Sequence, residues 1–481
     1  MQRLILIHRW LGVALGPLVA MWFATGIVMH LVPFPGLSES QRVAGLPLLT
    51  IEGPIRGPAD AVAASGMADV ARVRLLQRAD GAVYIVNDGS TSAALRARDL
   101  APAAVRSREL ALAIGAEHAR QHGIAPIDPT RLEVIDHDQW TMAGHYHPHR
   151  PLYRLGLDNP AGTDIYLSTT TGEVVLDTTR WQRGWNYIGS VAHWIYAPPL
   201  RSRPELWSAT VQGLSLASVV LVVAGAVLGI ARIRIGGGRR TSPYHGMHRW
   251  HHLLGLPSLI FVTTWIASGF LSMDDGVLFS TGRATKSDLA AISGAPGWDR
   301  LTGVDLRLLD PDARELEWFA LDGTLFRRTI TAPNTQRVAE VGRGERGDAF
   351  LPAAALSPVA RRLGPDCGDP TAIGPEDNHA IASVISGAPV YRIRCGERWY
   401  DIDSASGALL QTTDSSRRAY RWLFSGLHRL DFPVLSGRPV LRTALIVTLC
   451  GIGLVFSLTG IVIGTRRLWR GAASRRPNAS R

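Results

Sequence analysis

Fifteen histidines stand in this chain of 481 residues, and several fall where a long apolar stretch begins or ends. His8 and His251 open two such stretches, His193 and His428 stand just before two others, and His30 closes the first. An ionisable or ligating side chain at the rim of an apolar span is costly to keep there, so it marks a function by default. A single interfacial histidine is more often a hydrated anchor. What sets these apart is that most of them come in matched pairs.

The pairs follow from an internal repeat. With a shift of 235 residues, Gly172 falls on Gly407, His193 on His428, Arg203-Pro204 on Arg438-Pro439, Ala224-Gly225 on Thr459-Gly460 and Gly229 on Gly464. With a shift of 243, His8 falls on His251, Gly12 on Gly255, Trp22 on Trp265 and Gly26 on Gly269. Each half therefore reads as helix, outward segment, helix, and the halves are parallel repeats about an axis near the membrane normal.

In such a pseudo-symmetric arrangement a residue tends to face its repeat-mate across the axis. Two facing imidazoles are what a six-coordinate b-type haem requires, one on each side of the iron, each neutral and held by an acceptor behind it. The expectation is two haems, with axial ligands drawn from His8, His251, His193 and His428. His30 is a further candidate: it lies 22 residues beyond His8, about 33 Å along a helix with about a 40° angular offset, so one helix face could reach a cofactor at each membrane surface. Its repeat-mate is Met273, which weakens the case. His245, His248 and His252 share one helical face and His251 points elsewhere, so His248 or His252 could replace His251. Glycines at 12, 26, 255 and 269 leave room for close helix approach or for a flat macrocycle.

Four stretches must position these groups: 10–33, 209–231, 253–273 and 440–465 run almost without charge. Each is long enough to cross about 30 Å of hydrocarbon at about 1.5 Å per residue. The first is too long and lacks a convincing cleavage site for a signal peptide, so an uncleaved span is expected. Arginine fixes the orientation. Thirteen arginines lie in three short acid-free segments, before the first span, between the second and third, and after the fourth; the rest of the chain nets −2 against a total of +11. Short arginine-rich segments stay in the cytoplasm. The expected order is span 1–33, outward domain 34–208, span 209–231, cytoplasmic loop 232–252, span 253–273, outward domain 274–439, span 440–465 and a cytoplasmic basic tail 466–481. The basic balance thus reports topology in a bacterial inner membrane and implies no nucleic-acid partner.

The outward segments read as α+β. Hairpins are expected over 71–87, turning at Asp80-Gly81, and over 315–328, turning at Asp322-Gly323. A second hairpin in each half turns at Thr171-Gly172 and Ser406-Gly407, with helices at 105–119 and 352–363 between. Cys367 and Cys395 both lie in the second outward segment, where an oxidising space permits a disulfide, although spacing alone does not bring them together. Alternating His145, His147 and His149 could take a transition metal, though a solvated loop is the plainer reading, and the second half has no equivalent. Asp136, Asp138, Gln139 and Trp140 could line a recognition surface.

The stretches Ile7-His8-Arg9-Trp10-Leu11-Gly12 with Ala24-Thr25-Gly26, Arg249-Trp250-His251-His252-Leu253-Leu254-Gly255, Gly426-Leu427-His428-Arg429-Leu430-Asp431-Phe432-Pro433, Asp138-Gln139-Trp140-Thr141 and His149-Arg150-Pro151-Leu152-Tyr153 together resemble the PepSY-associated transmembrane proteins over nearly the whole chain. The resemblance implies a membrane four-helix bundle carrying two extracytoplasmic PepSY-like α+β domains. Some members are similar to siderophore reductases, which implies haem b held by His8, His251, His193 and His428, and a ferric siderophore reduced at a site between the outward domains. No Gly-x-Gly-x-x-Gly follows a strand, no P-loop is present, and the cytoplasmic segments are too short for a flavin or nicotinamide domain, so electrons would come from quinol or a separate reductase. The rival expectation is a non-enzymatic envelope protein whose PepSY-like domains bind a partner or modulate a protease, with the helices as anchors. A transporter, which parallel repeats also permit, is the weakest, because the spans lack midplane charge.

Overall fold

The computed structural model describes residues 1–124, 131–234, 241–274, 276–301, 310–343 and 347–473. Arg239, Arg240, Arg475, Arg476 and Arg481, which the charge argument uses, lie outside them. The chain forms two compact units: Met1–Phe34, Gly184–Ser280 and Arg418–Arg481 make one, Pro35–Arg183 and Thr281–Arg417 the other.

The first unit is helical. Four helices are long and apolar enough to cross a membrane: Gln2–Leu31, Pro204–Ala231, Gly246–Leu271 and Pro439–Arg470. Each expected span falls within one of them, apart from two residues beyond the first and third. Only 22–28% of each apolar window is buried inside the protein, so the rest leaves apolar side chains at least partly exposed. In water that exposure is unfavourable; in hydrocarbon it is the stable state. The first helix packs along the fourth and the second, and the third packs along the second and the fourth. The second and fourth helices start earlier than the apolar stretches alone suggest, because Pro204 and Pro439 each open a first turn, where a missing N–H costs nothing.

Two short helical segments precede the second and fourth spans. Arg180–Asn186 continues into a widened turn, Tyr187–Val191. Ser415–Tyr420 continues into Arg421–Gly426 in the same way. A one-residue widening re-aims every side chain that follows it and recurs at functional sites. Here it comes just before His193 and His428. These segments from 184 and 418 onward belong with the helices rather than with the outward domains to which the apolar pattern assigned them.

The second unit holds fourteen described strands: β1 Arg72–Arg78, β2 Gly81–Asn87, β3 Ser92–Arg96, β4 Arg131–Ile135, β5 Leu152–Gly156, β6 Asp164–Ser168, β7 Val174–Thr178, β8 Glu315–Leu321, β9 Thr324–Ala332, β10 Thr335–Glu340, β11 Thr371–Ile373, β12 Val390–Cys395, β13 Arg398–Asp403 and β14 Leu409–Thr413. They form three antiparallel sheets, ordered β10-β9-β8-β1-β2-β3, β4-β5-β6-β7 and β11-β12-β13-β14. The four expected hairpins are β1/β2, β8/β9, β6/β7 and β13/β14, and the expected helices are Arg108–Gln121 and the segment from Ala353 to Leu363. A shift of 243 carries β1, β2 and the whole of β3 onto β8, β9 and β10, and a shift of 235 carries β7 onto β14. Gly172 and Gly407 close the repeat-related turns at φ +73° and +64°, and a Cβ at either would strike Arg78 or Phe319.

The two outward segments are not separate domains. β1 pairs antiparallel with β8, from Arg72 opposite Phe319 to Leu76 opposite Glu315, so both halves share one sheet. That pairing places β8 in the centre and buries it on both faces. Leu316, Trp318 and Ala320 enter one core with Leu75 and Tyr84. Phe319 and Leu321 enter another with Ile393 and Ile402. The buried acids Glu315 and Glu317 are matched by arginines: Glu315 by Arg42 and Arg74, Glu317 by Arg72 and Arg328. Cys367 and Cys395 are joined by a disulfide across neighbouring extended backbone.

Candidate functional site: two pairs of facing imidazoles

The helical unit brings four histidines together two by two. His8 and His251 have ring centres 6.3 Å apart, with ring planes inclined by 46°. His193 and His428 have ring centres 6.4 Å apart, inclined by 68°. Both pairs join repeat-mates, one member from each half. Thr25, which holds His193, lies 17 residues after His8 on the first helix, so the two pairs are separated by about 25 Å of helix.

Each ring is anchored through Nδ1. His8 Nδ1 lies 3.2 Å from the Leu221 carbonyl oxygen. His428 Nδ1 lies 3.1 Å from the Trp265 carbonyl oxygen and 3.2 Å from Ser268 Oγ. A carbonyl only accepts, so both Nδ1 atoms carry the proton. His251 Nδ1 meets Thr459 Oγ1 at 2.9 Å, and His193 Nδ1 meets Thr25 Oγ1 at 3.0 Å. Those hydroxyls donate their own protons within their helices, Thr459 to the Phe456 carbonyl at 2.6 Å and Thr25 to the Met21 carbonyl at 2.7 Å. Each oxygen is left to accept from the imidazole. All four rings are thereby fixed in one tautomer, with hydrogen on Nδ1 and the lone pair on Nε2. Among the described residues none of these four Nε2 atoms makes a hydrogen bond.

A glycine from the other span of the same half lies beside each ring. A Cβ on Gly225 would stand 2.7 Å from His8 Cε1; on Gly460, 3.2 Å from His251 Cε1; on Gly269, 3.3 Å from His428 Cε1; on Gly26, 3.8 Å from His193 Cε1. Aromatic rings complete the walls: Phe456 stacks on His251 at 4.7 Å and Phe424 on His428 at 5.3 Å. Trp22 donates its indole N–H to the His193 carbonyl at 3.0 Å, tying the first helix to the segment before the second.

This arrangement suits a metal held axially by two imidazoles. With metal–nitrogen bonds of about 2.0 Å, and each nitrogen about 1.1 Å from its ring centre, two opposed imidazoles have centres about 6.2 Å apart. The observed separations match that spacing and are too long for the rings to satisfy one another. The ligand tautomer, the acceptor behind each Nδ1 and the glycine beside each ring are the features that bound imidazole needs. Each pair therefore has the spacing and tautomer of two imidazoles on opposite sides of one metal.

Other candidate histidines take other roles. His30 is not opposed by an imidazole; its Nε2 meets Thr443 Oγ1 at 3.0 Å. The ring of its half that is opposed by an imidazole at this end is that of His193, which follows the widened turn. His252 has both nitrogens engaged, Nδ1 by Ser242 Oγ and Nε2 by the Gly229 carbonyl, each at 2.9 Å, so it cannot replace His251. His248 is exposed. Gly255 accommodates Phe456 rather than a histidine, and Gly12 faces Leu221 at ordinary contact.

In the second unit, His145 and His147 are exposed, and Arg150 occupies His147 Nδ1 at 2.8 Å. Among the described residues no three of His, Cys, Asp and Glu converge to hold a metal ion. Asp138 accepts from the Trp140 and Thr141 backbone N–H groups and from the Tyr166 hydroxyl, and Trp140 is fully buried, so these two shape a turn rather than line a recognition surface.

The hydroxyl partners and the glycines at 225 and 460 line the imidazole pairs and are residues that the histidine pattern alone does not single out. Their signal was a small or hydroxyl residue followed by glycine on each span: Thr25-Gly26, Ser268-Gly269, Ala224-Gly225 and Thr459-Gly460. No protein-family model matches the chain, and no curated protein matches it.

Proposed function

We propose that the chain is a b-type di-haem protein of the bacterial inner membrane that carries electrons across the bilayer to an acceptor outside, a ferric siderophore. The observation that carries the reading is the pair of imidazole pairs, each at the spacing of a bis-histidine metal and each locked in the ligand tautomer. A protein whose helices only anchor it has no use for four oriented imidazoles with free Nε2 atoms, one such pair near each end of the spans.

Haem b held by each pair would supply reversible one-electron iron chemistry. The chain's own part is ligation, spacing and insulation. Leu221, Thr459, Thr25, Ser268 and the Trp265 carbonyl hold the Nδ1 protons, which strengthens Nε2 as a donor. Phe456 and Phe424 exclude water from one face of a ring in each pair. The spans fix the distance between pairs, so that charge need cross only part of the bilayer in each step.

The orientation rests on the arginines of the three short segments, which favour the cytoplasm. The Cys367–Cys395 disulfide accords with an oxidising space around the second unit. We read the four spans as one bundle and the second unit as PepSY-like, in keeping with the family resemblance. Quinol or a separate reductase would be the electron source.

The test is the visible spectrum of the chain purified in mild detergent from haem-replete cells. It should show a redox-responsive b-type spectrum with two haems per chain. His8→Ala and His428→Ala should each remove one. A colourless protein refutes the reading, and so does a single haem indifferent to both substitutions.

A further inference from the structure

His118 and His122 lie one turn apart at the end of the helix Arg108–Gln121, in the unit without spans. Their ring centres are 4.4 Å apart. The Nε2 atoms of both are buried and have no hydrogen-bond partner. His118 is only 5% exposed. His122 Nδ1 lies 3.0 Å from the His118 carbonyl oxygen, which only accepts. His122 therefore carries its proton on Nδ1, and its buried Nε2 is a bare lone pair. A buried imidazole nitrogen left without a partner is unfavourable by about 1–3 kcal/mol, so two of them on neighbouring rings call for an occupant.

We infer that His118 and His122 chelate one divalent transition-metal ion, with water completing its coordination. Two imidazoles bound at about 2.1 Å and at a right angle to one another have ring centres about 4.5 Å apart, and the observed 4.4 Å agrees. Residues four apart on a helix present their rings on the same face, which is why this spacing suits a chelate.

One further feature favours a cation here. His122 is the cap of the helix C-terminus, where unpaired carbonyls and the helix dipole attract positive charge.

Room for the rings comes from Gly45, where a Cβ would overlap both, reaching 2.1 Å from His118 Nδ1 and 2.9 Å from His122 Cε1. A cavity of about 40 Å³ beside His118 is lined by Gly45 and Glu117, and also by Arg42 and Arg78. It has space for two or so water molecules. The site is independent of the haem reading, and nothing in it requires the helical unit to be redox-active.

The test uses the full chain in detergent, without a histidine tag, cleared of labile metal by a chelator that leaves haem in place, and then given Cu(II). One tightly held copper per chain is expected, with pulsed electron paramagnetic resonance detecting two coordinated imidazoles. His118→Ala and His122→Ala should each weaken binding on the order of 10–100-fold or more, since losing a ligand costs at least as much as losing its orienting partner. The combined substitution of His145, His147 and His149 by Ala should leave it intact. Failure to retain copper, a count other than two imidazoles, or copper lost only with the 145–149 cluster each overturns the inference. If His118→Ala does not fold, the half-buried His122 and the imidazole count in the unmodified chain still decide.

Discussion

The four glycines beside the histidines give a graded prediction. Replacing glycine by alanine in a helix interior should by itself stabilise the helix by about 1 kcal/mol. On packing grounds the outcome differs from site to site. A Cβ at Gly225 would sit 2.7 Å from His8 Cε1 and 3.1 Å from its Nδ1, about 0.8 Å inside the closest comfortable carbon contact. The His8 ring cannot simply swing away, because Nδ1 is tied to the Leu221 carbonyl on the same span that carries Gly225. A displacement of that size exceeds by severalfold the tolerance of about 0.2 Å on a metal–ligand bond. Gly225→Ala should therefore cost the inner haem its His8 ligand. Gly460→Ala and Gly269→Ala meet their rings at 3.2 and 3.3 Å and should keep the haem with a shifted spectrum, while Gly26→Ala, at 3.8 Å, should be silent. The assay is haem content per chain together with low-spin electron paramagnetic resonance signals, alongside a thermal melt to show that the fold persists. If Gly225→Ala retains two six-coordinate haems, or Gly26→Ala is the more damaging, the geometry argued for the pairs is wrong.

Thr25→Val and Thr459→Val should retain haem but raise the midpoint potential of the outer and inner group respectively, on the order of tens of millivolts, because an imidazole that loses its Nδ1 acceptor is a weaker donor to oxidised iron; redox titration with unchanged potentials would contradict the assigned tautomers. Acid should weaken the sheet unit. Burial opposes ionisation of Glu317, but Arg72 and Arg328 hold its carboxyl down from the ordinary 4.5 to about 2, so its ionised form stabilises the fold above pH 4.5 and that contribution, about 3 kcal/mol, is lost as pH falls towards 2. Fluorescence of the neighbouring buried Trp318 reports the transition, and Glu317→Gln should flatten its dependence on pH. Reducing the Cys367–Cys395 bridge, which closes a separation of 28 residues, should lower the stability of this unit by about 3–4 kcal/mol if chain entropy governs it; denaturant curves that coincide with and without reductant would exclude that.

Much of this was readable from residue order. Asp-Gly between alternating apolar residues located the β1/β2 and β8/β9 turns, because a tight turn with positive φ leaves few residue choices. Apolar length located the four spans, and the two repeat registers named the four histidines. What the order of residues concealed were contacts between distant elements. The pairing of β1 with β8 has no local signature: either edge of either hairpin could be covered, and only the packed cores around Trp318 and Phe319 decide which. The register pointed to His251 but left its neighbour His252 open, and only the engagement of both nitrogens of His252 by Ser242 and Gly229 separates the two. His30 was the weaker candidate, sharing a helix face with His8 by periodicity; its Nε2 meets Thr443, and the ring that faces His428 is that of His193, which follows the widened turn at Tyr187–Val191 that no residue pattern announces.

The repeat also constrains how such a site arises. Within each half, one span supplies the inner histidine and the other the glycine beside it, while at the outer end the roles reverse: Gly26 lies on the first span and His193 precedes the second. Each half thus builds two complete half-sites, and neither half can close a pair, because both partners of each pair are repeat-mates. A single half would need a second copy of itself in the same orientation to coordinate anything. Joining the halves in one chain removes that concentration dependence and frees the two copies to diverge, as they have behind the rings: a backbone carbonyl holds His8 where a threonine hydroxyl holds His251. Because a hydroxyl and a carbonyl differ in the charge they present to the Nδ1 proton, the two imidazoles of one pair need not be equally basic, and on the di-haem proposal that difference would be a means of setting the potentials of the two groups independently.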